Sequence, residues 1–419
     1  MLERLKAASE RVLRANWREG LRSDGTPYAY TCPSARRYKH QWYWDSCFHA
    51  IVWARIEPWR AREELRTLVR AGRSDGLIPH TAFWGESPRW RRAPFYATEA
   101  MRGSRTTATI QTPLLAFAWE RVAAASAQED PGFANEALGM LTAHHEWLAR
   151  ERDPDGSGLI SILLPDESGL DDSPKYDGVY GRLAHDRPGH FVLIDRHRRN
   201  GWDAPAFMSV SDLHVKDVLV NVAYALSGAA LSRLLGESER SGVHAVRARR
   251  TIAALLERCW DERTGLFSDL AGRSQRRVPI STWSALSPLA LGAAIGEGVR
   301  RRLIDEHLLD PARYRAPYGI PSVSMDEPAF NPGWNRFRTW RGPSWVNTAW
   351  LLVPGLDALG HRAEGDRIVG ALAEAAGRDG LREYYHPLTG DGLGARDFAF
   401  SSLLYDLAAE RAGRLASAP

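Results

Sequence analysis

FANEALGMLTAHHEWLARERDPDGSGLI, residues 133–160, is the stretch that decides the architecture. Phe133, Ala137, Met140, Leu141, His144, Trp147 and Leu148 fall at the i, i+3, i+4, i+7 spacing of an amphipathic helix. The helix must then stop, because Asp153, Pro154, Gly156 and Gly158 form a turn, and Leu159–Leu164 reads as a short extended segment. Related punctuation recurs at Asp75–Pro79, Asp261–Phe267 and Gly377–Tyr385. In each, a Gly-containing turn precedes one or two apolar residues, and glycine supplies the positive φ that ends a helix. Ordinary helix capping produces such turns too. A turn of one kind after alternate helices is nevertheless what a ring of helix pairs requires.

Working outward, helical periodicity covers roughly 1–17, 45–72, 109–126, 133–151, 212–235, 241–260, 284–307, 344–359, 361–377 and 398–412. Besides Leu159–Leu164, only Phe191–Ile194 carries a strand signal. The connections 73–106, 152–211, 261–283 and 310–343 are long and rich in Gly, Pro, Trp and Arg. Loops of that length are uncommon without a function, and plain helical bundles use short ones. The expected fold is therefore all-α, a toroid of antiparallel helix pairs. No Pro/Ser-rich linker divides the chain, so 1–419 reads as one domain with loop insertions around 86–106 and 165–211. Helix count alone leaves the closure of the ring open.

Composition narrows the function. The 55 basic residues are interleaved with 51 acidic ones, giving a net charge of +4, and no long basic run offers a nucleic acid its electrostatic footprint. The cysteines, Cys32, Cys47 and Cys259, have no metal spacing, and their odd number suits a reducing compartment. The N-terminal MLERLKAASERVLRANW lacks an apolar signal-peptide core, and no run of about 18 apolar residues predicts a membrane span. A cytoplasmic location is expected, as monomer or homo-oligomer. Phosphate-loop, dinucleotide-binding, HExxH and GxSxG motifs are absent, so neither cofactor nor metal is expected. The 16 Trp, 13 Tyr and 12 Phe could stack sugar rings or fill a large core.

Four clusters could carry chemistry. PDESGLDDSPKY (165–176) holds Asp166, Glu167, Asp171 and Asp172 in a loop that Gly169 and Pro174 keep from being helical. It reads as a solvated acidic turn or as a carboxylic acid held at a pocket rim. LREYYHPLTGDG (381–392) sets Glu383 beside Tyr384 and Tyr385, where partial desolvation would raise its pKa for proton transfer, unless it is simply a surface glutamate. YKHQWYWDS (38–46) places Trp42 and Trp44 before Asp45, a grip for a sugar ring or a buried pair with a helix N-cap. TWRGPSWVN (339–347) brackets Arg341 with Trp340 and Trp345, and its guanidinium could fork onto a carboxylate or sugar hydroxyls of a ligand, or buttress a catalytic carboxylate.

Four motifs, QWYWDSCFHA (41–50), ESGLDDSPKYD (167–177), TWRGPSWVN (339–347) and EYYHPLTGDGLGARDFAFSSL (383–403), resemble glycoside hydrolase family 63 in order and spacing. The length resembles its short bacterial branch, which includes mannosylglycerate and glucosylglycerate hydrolases. The resemblance implies an (α/α)6 barrel and hydrolysis of a small-molecule glycoside with inversion. It makes Asp171 of the S-G-x-D motif the general acid and Glu383 the general base. It assigns substrate binding to Tyr38, Trp42, Trp44 and Asp45, and to His80, Gln111, Gly169, Arg341, Trp345, Tyr384 and Tyr385. Mannosylglycerate, and glucosylglycerate beside it, are the expected substrates, with neutral gluco-oligosaccharides as the alternative. The chain departs from the pattern at Phe400, where relatives carry Trp, and at Tyr385, where a Trp is expected after the base. A glycerate carboxylate needs a cation, and the Arg-rich stretches Arg89–Arg102 and Arg196–Arg199 are the candidates.

Overall fold

The computed structural model describes residues 1–85, 105–184, 187–333 and 339–416. Six helical segments, Tyr43–Ile56, Leu115–Ser126, Val218–Leu234, Trp283–Ile295, Val346–Ala358 and Leu403–Ala416, each pack against the next, and the last packs against the first. That closes the ring. An outer set comprises Leu2–Asn16, Pro58–Arg70, Leu138–Arg152, Glu239–Ala254, Glu297–Arg302 and Arg362–Asp379, so the chain alternates outer and inner throughout. This is an (α/α)6 barrel.

The two rings differ in sequence, for a plain reason. An inner helix has protein on every side, so it must be apolar nearly all round. Every residue from Tyr43 to Trp53 is buried, and so are most of Val218–Leu231. An outer helix needs one apolar stripe. Arg362–Asp379 buries Ile368, Val369, Leu372 and Ala375 and turns Arg and Glu to solvent. One continuous core cluster runs from Leu5 to Ala408.

Several expectations are corrected. The 45–72 helix is two helices, parted at Glu57 because Pro58 starts the second with no N–H to give. The helix expected from 109 starts only at Leu115. Phe191–Ile194 lies inside the helix Arg187–Arg199, and Leu159–Leu164 contributes a single bridge, Ile162 to Val215. The 165–211 insertion carries the helices Asp177–Tyr180, Arg187–Arg199 and Ala204–Val210. Most of the 86–106 insertion lies outside the described residues. Two hairpins were not foreseen: Trp17–Leu21 with Pro27–Thr31, and Arg382–Tyr385 with Gly392–Arg396. Among the described residues, no helix is long and apolar enough to cross a membrane. Nor do three or more His, Cys, Asp or Glu among them gather to hold a metal. The three cysteines are buried and unbridged.

Candidate active site

The helix Tyr43–Ile56 starts without a side-chain cap of its own, so its first N–H groups need partners from elsewhere. Tyr43 N–H donates to the His80 carbonyl at 2.9 Å, and Trp44 N–H donates to Gln111 Oε1 at 2.9 Å. Capping from a distance thus draws His80 and Gln111 to the helix end that presents Trp44 and Asp45. Val346–Ala358 and Leu403–Ala416 begin at the same place, just after Trp345 and Phe400. The result is a cavity of about 520 Å³, open mouth included, at one end of the ring. Of the residues the sequence singles out, Tyr38, Trp42, Trp44, Asp45, His80, Gln111, Gly169, Asp171, Trp345 and Glu383 line it together.

Asp171 follows a short turn, Pro165–Ser168, that ends at Gly169 with φ 75°. A Cβ on Gly169 would stand 2.5 Å from Trp44 Cζ2, so both the turn and the tryptophan require glycine here. Asp171 faces the open cavity and is exposed, yet dense protein surrounds its carboxyl. Its pKa is raised well above the ordinary aspartate value, first by desolvation, then by the charges of Asp166 and Asp172. Asp172 accepts Trp340 N–H at 2.9 Å, tying the acidic loop to the 339–347 segment. Burial pushes Asp172 up to about 6, against the pull of that N–H and of Arg341. Glu167, four residues before Asp171 in the same loop, works elsewhere. It is fully buried, takes Arg152 in a two-pronged pair at 2.9 and 2.7 Å, and accepts the N–H groups of Ile110 and Leu163. Desolvation would raise its pKa, but Arg152 and these amides outweigh it and hold it low.

Glu383, on the strand Arg382–Tyr385, lines the same cavity and is 3% exposed. Its Oε1 accepts Tyr38 O–H at 2.9 Å. Its Oε2 accepts Ala395 N–H at 2.6 Å and a guanidinium N–H of Arg37 at 3.3 Å. Gly394, at φ 67°, leaves the space: a Cβ there would stand 2.6 Å from Glu383 Oε2. Desolvation raises the Glu383 pKa, with Ala395, Arg37 and Tyr38 pulling it back. Asp45, 5% exposed, is pushed up to about 7 by burial, with His49 opposing.

The other three sequence candidates stand outside the cavity lining. Arg341 forks onto both oxygens of Asp177, at 2.9 and 2.5 Å, and its charge also lowers Asp172. Tyr384 packs behind Trp345, with ring centroids 4.8 Å apart. Tyr385 donates its hydroxyl to the Gly380 carbonyl, locking the strand start. On a strand carrying Glu383 into the cavity, Tyr384 points away because neighbouring side chains take opposite faces. Arg198 and Arg199 pair with Asp195 on an exposed helix face, and His197 stacks on Trp202. The 89–102 stretch lies outside the described residues. Sequence reasoning missed Arg37, Pro33, Thr339, Trp340, Phe398 and Phe400 as site residues. Trp340, stacked on Trp345 with centroids 3.8 Å apart, sits in a quoted motif. Arg37, between Arg36 and Tyr38, gives no signal beyond its neighbour.

Three carboxyls, Asp45, Asp171 and Glu383, facing one aromatic-walled cavity with no lysine or arginine in its described lining, suit proton transfer on a sugar ring. A family model described as the mannosylglycerate hydrolase MGH1-like glycoside hydrolase domain matches residues 38–401. The chain belongs to this glycoside hydrolase family. It is 31% identical to a mannosylglycerate hydrolase of Rubrobacter radiotolerans across 98% of each chain. A glucosylglycerate hydrolase of Mycolicibacterium hassiacum is 28% identical, across 85% of this chain and 89% of its own. The crystal structure of a family 63 mannosylglycerate hydrolase from Thermus thermophilus, in complex with Tris and D-glycerate, superposes with a TM-score of 0.80. It is 26% identical and covers 97% of this chain and 100% of its own. The barrel deduced from the helix contacts is therefore that of the family, and the chain is a glycoside hydrolase.

Proposed function

We propose that the chain hydrolyses mannosylglycerate, and glucosylglycerate beside it, with inversion at the anomeric carbon. The observation that carries this is the pair Asp171 and Glu383 on the wall of one cavity, in unlike surroundings. Asp171 has like charges beside it and a strongly raised pKa, so it holds a proton to give to the glycosidic oxygen. Glu383 has three donors on its oxygens, which favour the ionised form that accepts a proton from water. The water attacks opposite the leaving group, so the two carboxyls of an inverting pair stand roughly 6.5–9.5 Å apart. Trp42 and Trp44 take the apolar side of the sugar, and Asp45, His80 and Gln111 its hydroxyls. The names of the relatives favour glycerate over a neutral sugar as the leaving group.

The test is direct. Mannosylglycerate, glucosylglycerate and kojibiose are supplied separately, and the first-formed anomer is read by NMR. Release of the β-anomer from the α-linked glycerates, with little from kojibiose, is expected. First appearance of the α-anomer would remove Glu383 as a water-activating base. Equal turnover of kojibiose would remove the glycerate preference.

A further inference from the structure

We propose that Arg37 is a positioning residue for the base: it keeps Glu383 ionised in a buried setting and aims its carboxylate at the attacking water. The inference rests on the reading of Glu383 as general base. Arg37 donates to Glu383 Oε2 at 3.3 Å, the oxygen that also receives Ala395 N–H. Its guanidinium lies 5.2 Å from the centre of the Tyr38 ring, whose hydroxyl holds the other oxygen at 2.9 Å. Neighbouring residues of one loop thus grip both oxygens of one carboxylate, a bracket that fixes the plane of the group. The Arg37 side chain is 36% exposed while Glu383 is 4% exposed, so the cation reaches in from the rim rather than sharing the burial.

A rim arginine in a glycerate hydrolase invites reading as the partner of the substrate carboxylate. Position argues against that. In an inverting site the leaving group departs on the side of the acid, and the base stands on the opposite face of the sugar. Arg37 is bonded to the base, so it stands on the water side. The role left to it is electrostatic. Burial favours the protonated form of Glu383, and an adjacent fixed positive charge favours the ionised one. Other groups facing Glu383 are Tyr38 from the same loop and Asp45 from the helix Tyr43–Ile56. Arg382 and Tyr384 flank it on its own strand, and Asp171 lines the same cavity. Of the positive charges among these, Arg37 is bonded to the carboxylate, whereas Arg382 bonds the Gly394 carbonyl.

The experiment compares Arg37→Gln, Arg37→Met and Arg37→Lys with the parent enzyme in pH profiles of kcat and kcat/KM. It also titrates the Glu383 carboxyl by ¹³C NMR, which separates it from Asp45. In the Gln and Met variants the acid limb should move to higher pH. The rate loss should then be several-fold larger near pH 5 than near pH 8, with the NMR titration moving alike and Lys restoring both. An equal loss at every pH with an unmoved titration would make Arg37 merely structural and overturn the inference. So would a rise in KM for mannosylglycerate alone, which would mark a substrate contact. Glu383→Gln is run in parallel. Full activity there would sink the base assignment itself, whereas an inactive Glu383→Gln beside an unmoved limb would sink only the role of Arg37.

Discussion

Two sets of carboxylates in this molecule do opposite work. Glu167 and Asp217 lie within the protein with cations bonded to them: Glu167 takes Arg152, and Asp217 takes Lys175, which also meets Asp269 and Ser284. Asp171, Asp45 and Glu383 stand at the cavity with hydroxyls, amides or other carboxylates around them, and among the described residues only Glu383 has a cation bonded to it. The first set bolts the acidic loop to the ring. Lys175 is four residues beyond Asp171 and anchors that loop against the start of the helix Val218–Leu234, which Asp217 caps. In the second set Asp171 and Asp45 have raised pKa values, which suits them to hold protons, whereas Glu383 is raised by desolvation and pulled back by Arg37, Tyr38 and Ala395. Whether a carboxylate is neutralised, more than its residue type, separates scaffold from chemistry.

The largest effect should come from breaking the cavity set. Asp171→Asn and Glu383→Gln should each lower kcat by about 10²–10⁴-fold or more, since each removes a proton-transfer group. The fold should not suffer. A carboxyl whose folded pKa is raised costs stability as pH climbs through that value, so the amide relieves a strain present at neutral and higher pH. Thermal melting of Asp171→Asn at pH 8 should therefore be unchanged or higher than the parent. A clear fall would mean that Asp171 is part of the scaffold.

Breaking the scaffold set should give the mirror image. Arg152→Met leaves Glu167 buried and unpaired, a change that costs about 3–5 kcal/mol in comparable sites. Denaturant unfolding measures it, and kcat per folded molecule should stay near the parent value. Glu167 has a lowered folded pKa, so its stabilising share is present above about pH 4.5 and is lost as pH falls through the folded value. The melting temperatures of parent and Arg152→Met should thus converge in acid. Divergence toward low pH would refute the pairing as the source of stability.

How much of this was legible in the residues follows the same division. The ring was readable as helices, because periodicity survives in single helices such as 138–152 and 362–379. Its closure was not, since it lies in contacts such as Leu403–Ala416 against Tyr43–Ile56, far apart in sequence. The aromatic motifs supply most of the residues that line the cavity. Arg341, Tyr384 and Tyr385 sat in the same motifs but lie outside the cavity lining, because a motif records proximity in sequence and not what a side chain meets. Arg37 was invisible because its meaning comes from Glu383, 346 residues later. The contrast between Glu167 and Asp171, four residues apart in one acidic loop, could not be read at all until Arg152 was placed.

Between the two sets stands Asp172, which belongs to the acidic loop, bonds Trp340 N–H and charges Asp171. Asp172→Asn keeps an acceptor for that N–H and removes the like charge. The pKa of Asp171 should fall, so the alkaline limb of kcat, where the acid loses its proton, should move to lower pH while the acid limb stays. Turnover below the limb should change little.

The smallest effect tests the surface. Arg198 and Arg199 pair with Asp195 on an exposed helix, where ion pairs add little because water screens both charges. Arg198→Ala and Arg199→Ala should leave melting temperature and the KM for mannosylglycerate within measurement error. A marked rise in KM would show that this helix approaches the bound glycerate after all. It would give the acid side of the cavity the cation that its described lining lacks, and the line drawn between neutralised and bare carboxylates would then have to include a charge that arrives only with the substrate.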